Sequence, residues 1–210
     1  MAAAALGTLL VATQGSAQNG RREDEAKIRQ GFAISPVPLN MAGKNPDLVG
    51  MGSYIVNAIA SCNDCHSSDP SAEFVAGGVP YFNQHPTKVN PAVYLGGGRD
   101  FGPLIPGSAD IISRNLTPDK TGMPAGGMSF VNFLQVFQKG TDFDHLHPAC
   151  GATINTSCLP APFEGNLLQI MPWPIFQNMT VQDIRAIYEY LSAIPCIAGP
   201  PTGELHNNCS

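Results

Sequence analysis

Cys62, Asn63, Asp64, Cys65 and His66 stand together as C-x-x-C-H, the densest group of reactive side chains in the sequence. On a helix, residues three and four apart share a face, so both thiols and the imidazole point the same way. Two thiols so placed can add to the two vinyl groups of one porphyrin while the adjacent imidazole meets the iron, which is the attachment pattern of c-type haem. From the chain's own cysteine and histidine content, chance would produce the pattern roughly 0.004 times in 210 residues, so coincidence is a poor account of it. A zinc site needs a second ligand pair, and Cys150, Cys158, Cys196 and Cys209 supply no second C-x-x-C. A thioredoxin-like pair wants a strand before it within a βαβ pattern, whereas an amphipathic helix leads in here. One motif implies one covalent haem and excludes a multihaem wire or a two-haem peroxidase within this chain.

The elements that must position this motif follow from spacing. Asn45 as N-cap and Pro46 as first helical residue open a helix whose Leu48, Met51, Ile55 and Ile59 form the expected buried stripe. A second helix starts at Ser129, buries Phe130, Phe133, Leu134 and Phe137, and stops at Gly140. A third has Thr180 as N-cap and Asp183 in a capping box, with Ile184, Ile187, Tyr188 and Leu191 as its apolar face up to Pro195 and Met179 placed to staple onto Ile184. Tyr188 is expected against Gly52 and Tyr54, since close helix crossings set a large residue opposite a small one. Residues 67–128 and 141–179 carry glycine and proline clusters without a period, and read as ordered loops. The whole is expected to be all-α, with three principal helices and long ordered loops. Loops of that length inside one domain need something other than polypeptide to wrap.

Composition narrows the class further. Only 13% of residues are charged, while 22 Gly and 19 Pro demand many turns, so a charged disordered tail is excluded. With 11 Lys and Arg against 16 Asp and Glu there is no basic surface for phosphates, which argues against nucleic acid as a partner. From Gly140 onward Arg185 is the only basic residue among several acidic ones, a distribution suited to a solvated surface or to a basic docking partner.

Residues 1–13 are apolar but too short to span a bilayer, and the small residues up to Ala17 resemble the end of a secretory signal peptide, although a positive n-region is absent. The expected organisation is therefore a signal peptide over 1–17, a leader and extended strap over 18–44, the main domain over 45–196 and a C-terminal tail over 197–210. No later run suits a membrane helix, so the mature chain is expected outside the cytoplasm, in the periplasm or an equivalent compartment. There the remaining cysteines should pair over short loops, Cys150 with Cys158 and Cys196 with Cys209, the second pinning the tail.

GSYIVNAIASCNDCH, SRNLTPDKTGMPAG and IMPWPIFQNMTVQDIRAIYEYLSAIP together resemble the monohaem c-type cytochromes of the first structural class. They are similar in particular to the extracytoplasmic cytochrome subunits and domains that serve membrane alcohol and sugar-acid dehydrogenases. The resemblance covers roughly Gly50 to Pro195, and the cysteine-bearing stretch before Leu159 is an insertion relative to shorter members. It implies a cytochrome c fold, a haem iron held by His66 and Met171, and a one-electron carrier between redox partners such as a membrane dehydrogenase or terminal oxidase, not an enzyme. Pro172 favours an extended Met171, which suits a stiff mount for a thioether arm. Met123, Met128 and Met179 are the competing methionines, and His85, His145, His147 and His206 the bis-histidine alternatives. Trp173 either packs on the porphyrin, donates to a propionate or fills the core. Asn115, with Arg114 and Thr117, falls in the segment that resembles the family's haem-edge loop, where polar groups meet propionates. Two further functions stay open: a haem subunit dedicated to one dehydrogenase or respiratory complex, and a haem-based redox or gas sensor whose methionine detaches.

Overall fold

The computed structural model describes residues 4–67, 71–144, 147–199 and 207–210, with side chains from residue 18 onward. Helix α1, Ala4–Ile34, runs unbroken across Ala17 and through the expected leader, so the extended strap is confined to 35–45. There Val37 is buried and the Asn40 N–H donates to the Ala193 carbonyl at 2.8 Å, tying the strap to the end of the last helix.

Helix α2, Pro46–Tyr54, begins as its sequence dictates, with the Asn45 side chain accepting from the backbone N–H groups of Asp47 and Leu48. Its buried face is wider than the expected stripe, of which Ile55 is buried and Ile59 is not. Val49, Gly50, Gly52 and Ser53 are buried, Leu48 and Met51 only partly, and Ile59 is 63% exposed. The reason is that α2 is gripped from two sides. A Cβ at Gly31 would collide with the Gly50 carbonyl, and Ser53 Oγ donates to the Gly31 carbonyl at 2.7 Å, so α1 lies against one side. A π turn over Ile55–Ile59 then adds a residue to the winding and rotates Ile59 outward. Ser61, with φ of 47°, reorients the chain into α3, Cys62–His66.

Beyond α3 the chain is mostly loop, punctuated by β1, Asp100–Pro103, which pairs antiparallel with β2, Asp110–Ile112. The tight turn α4, Pro124–Gly127, precedes α5, Phe130–Lys139, which is capped by Ser129 and stopped by Gly140 at φ of 66°. The single turn α6, Trp173–Phe176, leads to α7, Val181–Leu191, where Thr180 accepts from the Asp183 N–H at 3.1 Å. Among the described residues helix makes up 38% and strand 7%, so the all-α cytochrome c fold expected from the sequence is corrected to a loop-dominated chain with helices and a small two-stranded sheet. Short β pairings, Phe74 with Val89 and Thr141 with Leu167 among them, carry backbone hydrogen bonding within the segments expected to be ordered loops.

The core lies where α2, α5 and α7 meet. Gly52 admits Ala186 and Tyr190 of α7, since a Cβ there would meet the Ala186 carbonyl and Tyr190 Cβ. The residue opposite Gly52 is thus Tyr190, a correction to Tyr188. The latter turns toward α5, stacking edge-on with Phe130 and Phe133 and donating its hydroxyl to the Met128 carbonyl at 3.0 Å. Tyr190, fully buried, shares its hydroxyl with Tyr94 at 2.9 Å, Asn57 at 3.2 Å and Ser35 at 3.2 Å, and Tyr94 donates to Asn57 Oδ1 at 2.6 Å. Burial and this hydroxyl neighbour push the Tyr94 phenol well above its ordinary range, so it stays a neutral donor.

Two disulfides close the loops. Cys150 joins Cys158 and Cys196 joins Cys209, which indicates an oxidising, extracytoplasmic compartment. Among the described residues, no helix is long and apolar enough to cross a membrane.

Candidate functional site

Helix α3 is anchored by its own variable positions. Asn63 is buried, its Nδ2 donating to Glu73 Oε1 at 3.2 Å and its Oδ1 accepting from the Leu95 N–H at 2.9 Å. The Arg99 guanidinium donates to the Asp64 carbonyl, and the Gly97 N–H to the His66 carbonyl. With the loop from Glu73 to Arg99 holding its back, α3 presents Cys62, Cys65 and His66 to a cleft of about 1380 Å³, its open mouth included.

The floor of that cleft is apolar: Phe133, Val136 and Phe137 from α5, Ile187 and Leu191 from α7, and Leu116. Met171 lines the same cleft, with Leu168 and Phe176. Thus Cys62, Cys65, His66 and Met171, 105 or more positions apart in sequence at the last step, line one space. Met128 lines it as well, whereas Met123, Met179 and the exposed His85 do not; His145 and His206 lie outside the described residues.

His66 is oriented for one task. Its Nδ1 is 2.7 Å from the Arg114 carbonyl, so the ring donates there and keeps Nε2 as its acceptor and ligating nitrogen. Burial lowers its pKa, which holds the imidazole neutral as ligation requires; the Arg114 carbonyl works in the opposite direction and loses. Burial pushes the Cys62 thiol up to about 12, with the Cys65 thiol beside it adding to the effect, whereas Cys65 itself is exposed. Cys62 is therefore a protonated thiol in the cleft wall.

The Met171 mount is stiff. The Met171 N–H donates to the Gln169 carbonyl at 2.7 Å across Ile170, whose φ of 67° is unusual for a β-branched residue. The Met171 carbonyl accepts from the Trp173 N–H at 2.8 Å. Trp173 is not at the cleft, a correction to its expected contact with the cofactor. Its indole N–H donates to the Leu168 carbonyl at 3.1 Å and its ring lies on Gly140, where a Cβ would collide with it. It buttresses the methionine loop from behind.

Asn115 is likewise corrected. It is buried away from the cleft, Nδ2 donating to the Ile197 carbonyl at 2.7 Å and Oδ1 accepting from the Thr117 N–H and hydroxyl. Asn207 adds bonds to the Thr117 and Pro118 carbonyls at 3.1 and 3.0 Å, so this polar cluster locks the tail beside the Cys196–Cys209 bridge. Arg114, named with Asn115 in the sequence, has a role the sequence did not show: it serves His66 through its backbone carbonyl and reaches Asp142 and Asp144 through its side chain.

The donor set fits a c-type haem. Two cysteines outside the disulfides, a neutral imidazole with one nitrogen committed to a carbonyl, and a thioether share an apolar cleft. The chain matches no protein-family model, no curated protein and no solved structure.

Proposed function

We propose that this chain is an extracytoplasmic one-electron carrier, working in the periplasm or an equivalent compartment, with one haem attached to Cys62 and Cys65 and held by His66 and Met171. The observation that carries the reading is that C-x-x-C-H and Met171 line the same apolar cleft while Arg114 fixes the imidazole tautomer. When bound, the group supplies a reversible Fe(III)/Fe(II) couple, and thioether ligation favours the ferrous form relative to a second histidine.

The chain's own residues do the rest. The Arg114 carbonyl holds the Nδ1 proton of His66 and keeps Nε2 aimed. Phe133, Phe137, Ile187 and Leu191 keep water from the cleft, which disfavours the more highly charged ferric state. Trp173, Ile170 and Gly140 hold the Met171 loop so that the thioether stays in place through each redox cycle. With His66 and Met171 both committed to holding the haem, the protein would leave it no site open to substrate, which supports a carrier and not an enzyme. Its partners would be redox proteins, a membrane dehydrogenase or terminal oxidase among them.

The test is the absorption spectrum of protein matured with haem, oxidised and reduced, in wild type, Met171→Ala and Met128→Leu. The expected result is a weak long-wavelength methionine-to-iron band in oxidised wild type, lost in Met171→Ala and kept in Met128→Leu. Loss in Met128→Leu alone would reassign the ligand. Bound haem without the band would favour an open or bis-histidine iron and hence a sensor, and absence of covalent haem under competent maturation overturns the reading.

A further inference from the structure

The carbonyl that accepts the His66 proton belongs to a residue gripped by two separate segments. The first grip is backbone to backbone. The Gly98 N–H donates to the Ser113 carbonyl, the Ser113 N–H to the Arg99 carbonyl and the Leu116 N–H to the Leu95 carbonyl, each at 2.9 Å. A Cβ at Gly97, whose φ is 66°, would collide with the Arg114 carbonyl group, so glycine is what lets the two backbones touch there. These contacts all join Arg114 to one segment, 95–99. They act on its flanks, and His66 is the one donor to its own carbonyl among the described residues.

The second grip is on the side chain, from a segment 28 positions further on. Nη2 of Arg114 donates to Asp142 Oδ1 and Oδ2 at 3.1 and 3.4 Å, and Nε pairs with Asp144 Oδ2 at 3.4 Å. The two carboxylates are not equivalent. The Asp144 side chain is 55% exposed, so its pairing contributes little. Asp142 is buried and immobilised: Oδ1 also accepts from the Asp144 N–H at 3.1 Å, its own N–H donates to the Asn166 carbonyl at 2.9 Å, and Thr141 pairs with Leu167 beside it. A buried ion pair is costly to separate, because either partner left alone stays desolvated and uncompensated. Arg114 is thus a strut, with its carbonyl on His66 and its guanidinium fixed to a carboxylate that does not move.

We propose that Asp142 is a positioning residue for the axial imidazole: it anchors Arg114 by the guanidinium and so keeps the Arg114 carbonyl on Nδ1 of His66. The inference rests on the carrier reading above, in which His66 holds the iron through Nε2. A proton kept on Nδ1 leaves Nε2 as the ligating nitrogen and sets how strongly it donates, so whatever holds the carbonyl in place also tunes the ligand. What Asp142 supplies is an acceptor at a fixed place, and that is separable from its charge.

The test follows the His66 ring nitrogens by heteronuclear NMR. In the haem-free chain their shifts give the share of protons on Nδ1, and in the reduced haem-loaded protein the solvent exchange of the Nδ1–H is timed. Asp142→Ala should lower the Nδ1 share and speed the exchange by roughly tenfold, since local opening then no longer breaks a buried ion pair. Asp142→Asn, which keeps an acceptor oxygen for Nη2, should stay near wild type. Replacing Cys150 and Cys158 together by Ser loosens the same stretch without touching the tether, and should also leave both readings near wild type. Should Asp142→Ala fail to fold with Arg114 unpaired, Arg114→Met combined with Asp142→Leu leaves no buried charge alone and decides in its place, with the same change expected. Unmoved readings in the deciding variant overturn the proposal, and so does an equal change on removing the disulfide. Absence of covalent haem in wild type overturns the carrier reading, and the haem-free chain then still shows whether Asp142 holds the His66 proton in place.

Discussion

At the scale of single residues, the two thiols of α3 differ in a way their shared motif conceals. Cys62 is half-buried and its thiol is pushed up to about 12, whereas Cys65 is exposed. A thiol reagent at pH 8 should therefore label Cys65 of the haem-free chain promptly and Cys62 far more slowly, as peptide mass spectrometry would read; equal rates would contradict the raised Cys62 thiol. His66 gives the pH dependence. Its folded pKa lies below the ordinary 6.5, so between those values the unfolded chain binds the extra proton and the folded chain does not. Stability is thus present above pH 6.5 and lost as pH falls through the lowered folded value. Urea melts of the haem-free chain should show a larger loss from pH 7.5 to 5.5 in wild type than in His66→Gln. The identity of these residues was legible in the sequence because C-x-x-C-H is local. The service of Arg114 to His66 was not, because it runs through a backbone carbonyl 48 positions away that no side-chain pattern encodes.

At the scale of elements, the caps were the most readable signals. Asn45, Ser129 and Thr180 each accept from the N–H groups their sequences offered, and Gly140 takes the left-handed stop. The buried face of α2 was not readable, since glycine and serine score as neither apolar nor stripe-forming, yet Gly50, Gly52 and Ser53 are what let α1 and α7 approach. That geometry makes a sharp contrast. Gly52→Ala should cost about 1–3 kcal/mol or more, because its Cβ meets the Ala186 carbonyl, which cannot move without moving α7. Gly20→Ala, on the exposed part of α1 with open space around it, should gain about 0.5–1 kcal/mol from helix propensity. Thermal or urea melts of the two variants side by side check both signs. Trp173 and Asn115 were misplaced for a related reason: adjacency in sequence to Met171 and Arg114 does not mean sharing their face, and both turn to backbone carbonyls behind the cleft.

At the scale of the whole molecule, loops carry the structure and cross-links make that workable. Removing the tail bridge with Cys196→Ser and Cys209→Ser together should cost about 3 kcal/mol, the loop entropy of a 13-residue separation, and should loosen the 115–120 loop that Asn207 holds. Denaturant melts and hydrogen exchange at Thr117 would measure the two parts. The hydroxyl knot at Tyr190 has a consequence for timing. It joins Ser35, Asn57 and Tyr94 to a residue 155, 133 and 96 positions further along, so it forms only once the two ends of the chain have met. Contacts of such separation slow folding, since their loop-closure entropy must be overcome before they contribute. The thiols of α3 emerge ahead of α7, which forms part of the cleft wall and comes more than a hundred residues later. On the haem attachment proposed above, a chain that crosses a membrane N-terminus first would thus offer both cysteines for modification in an open state, and slow closure would widen the interval in which thioether bonds could be made.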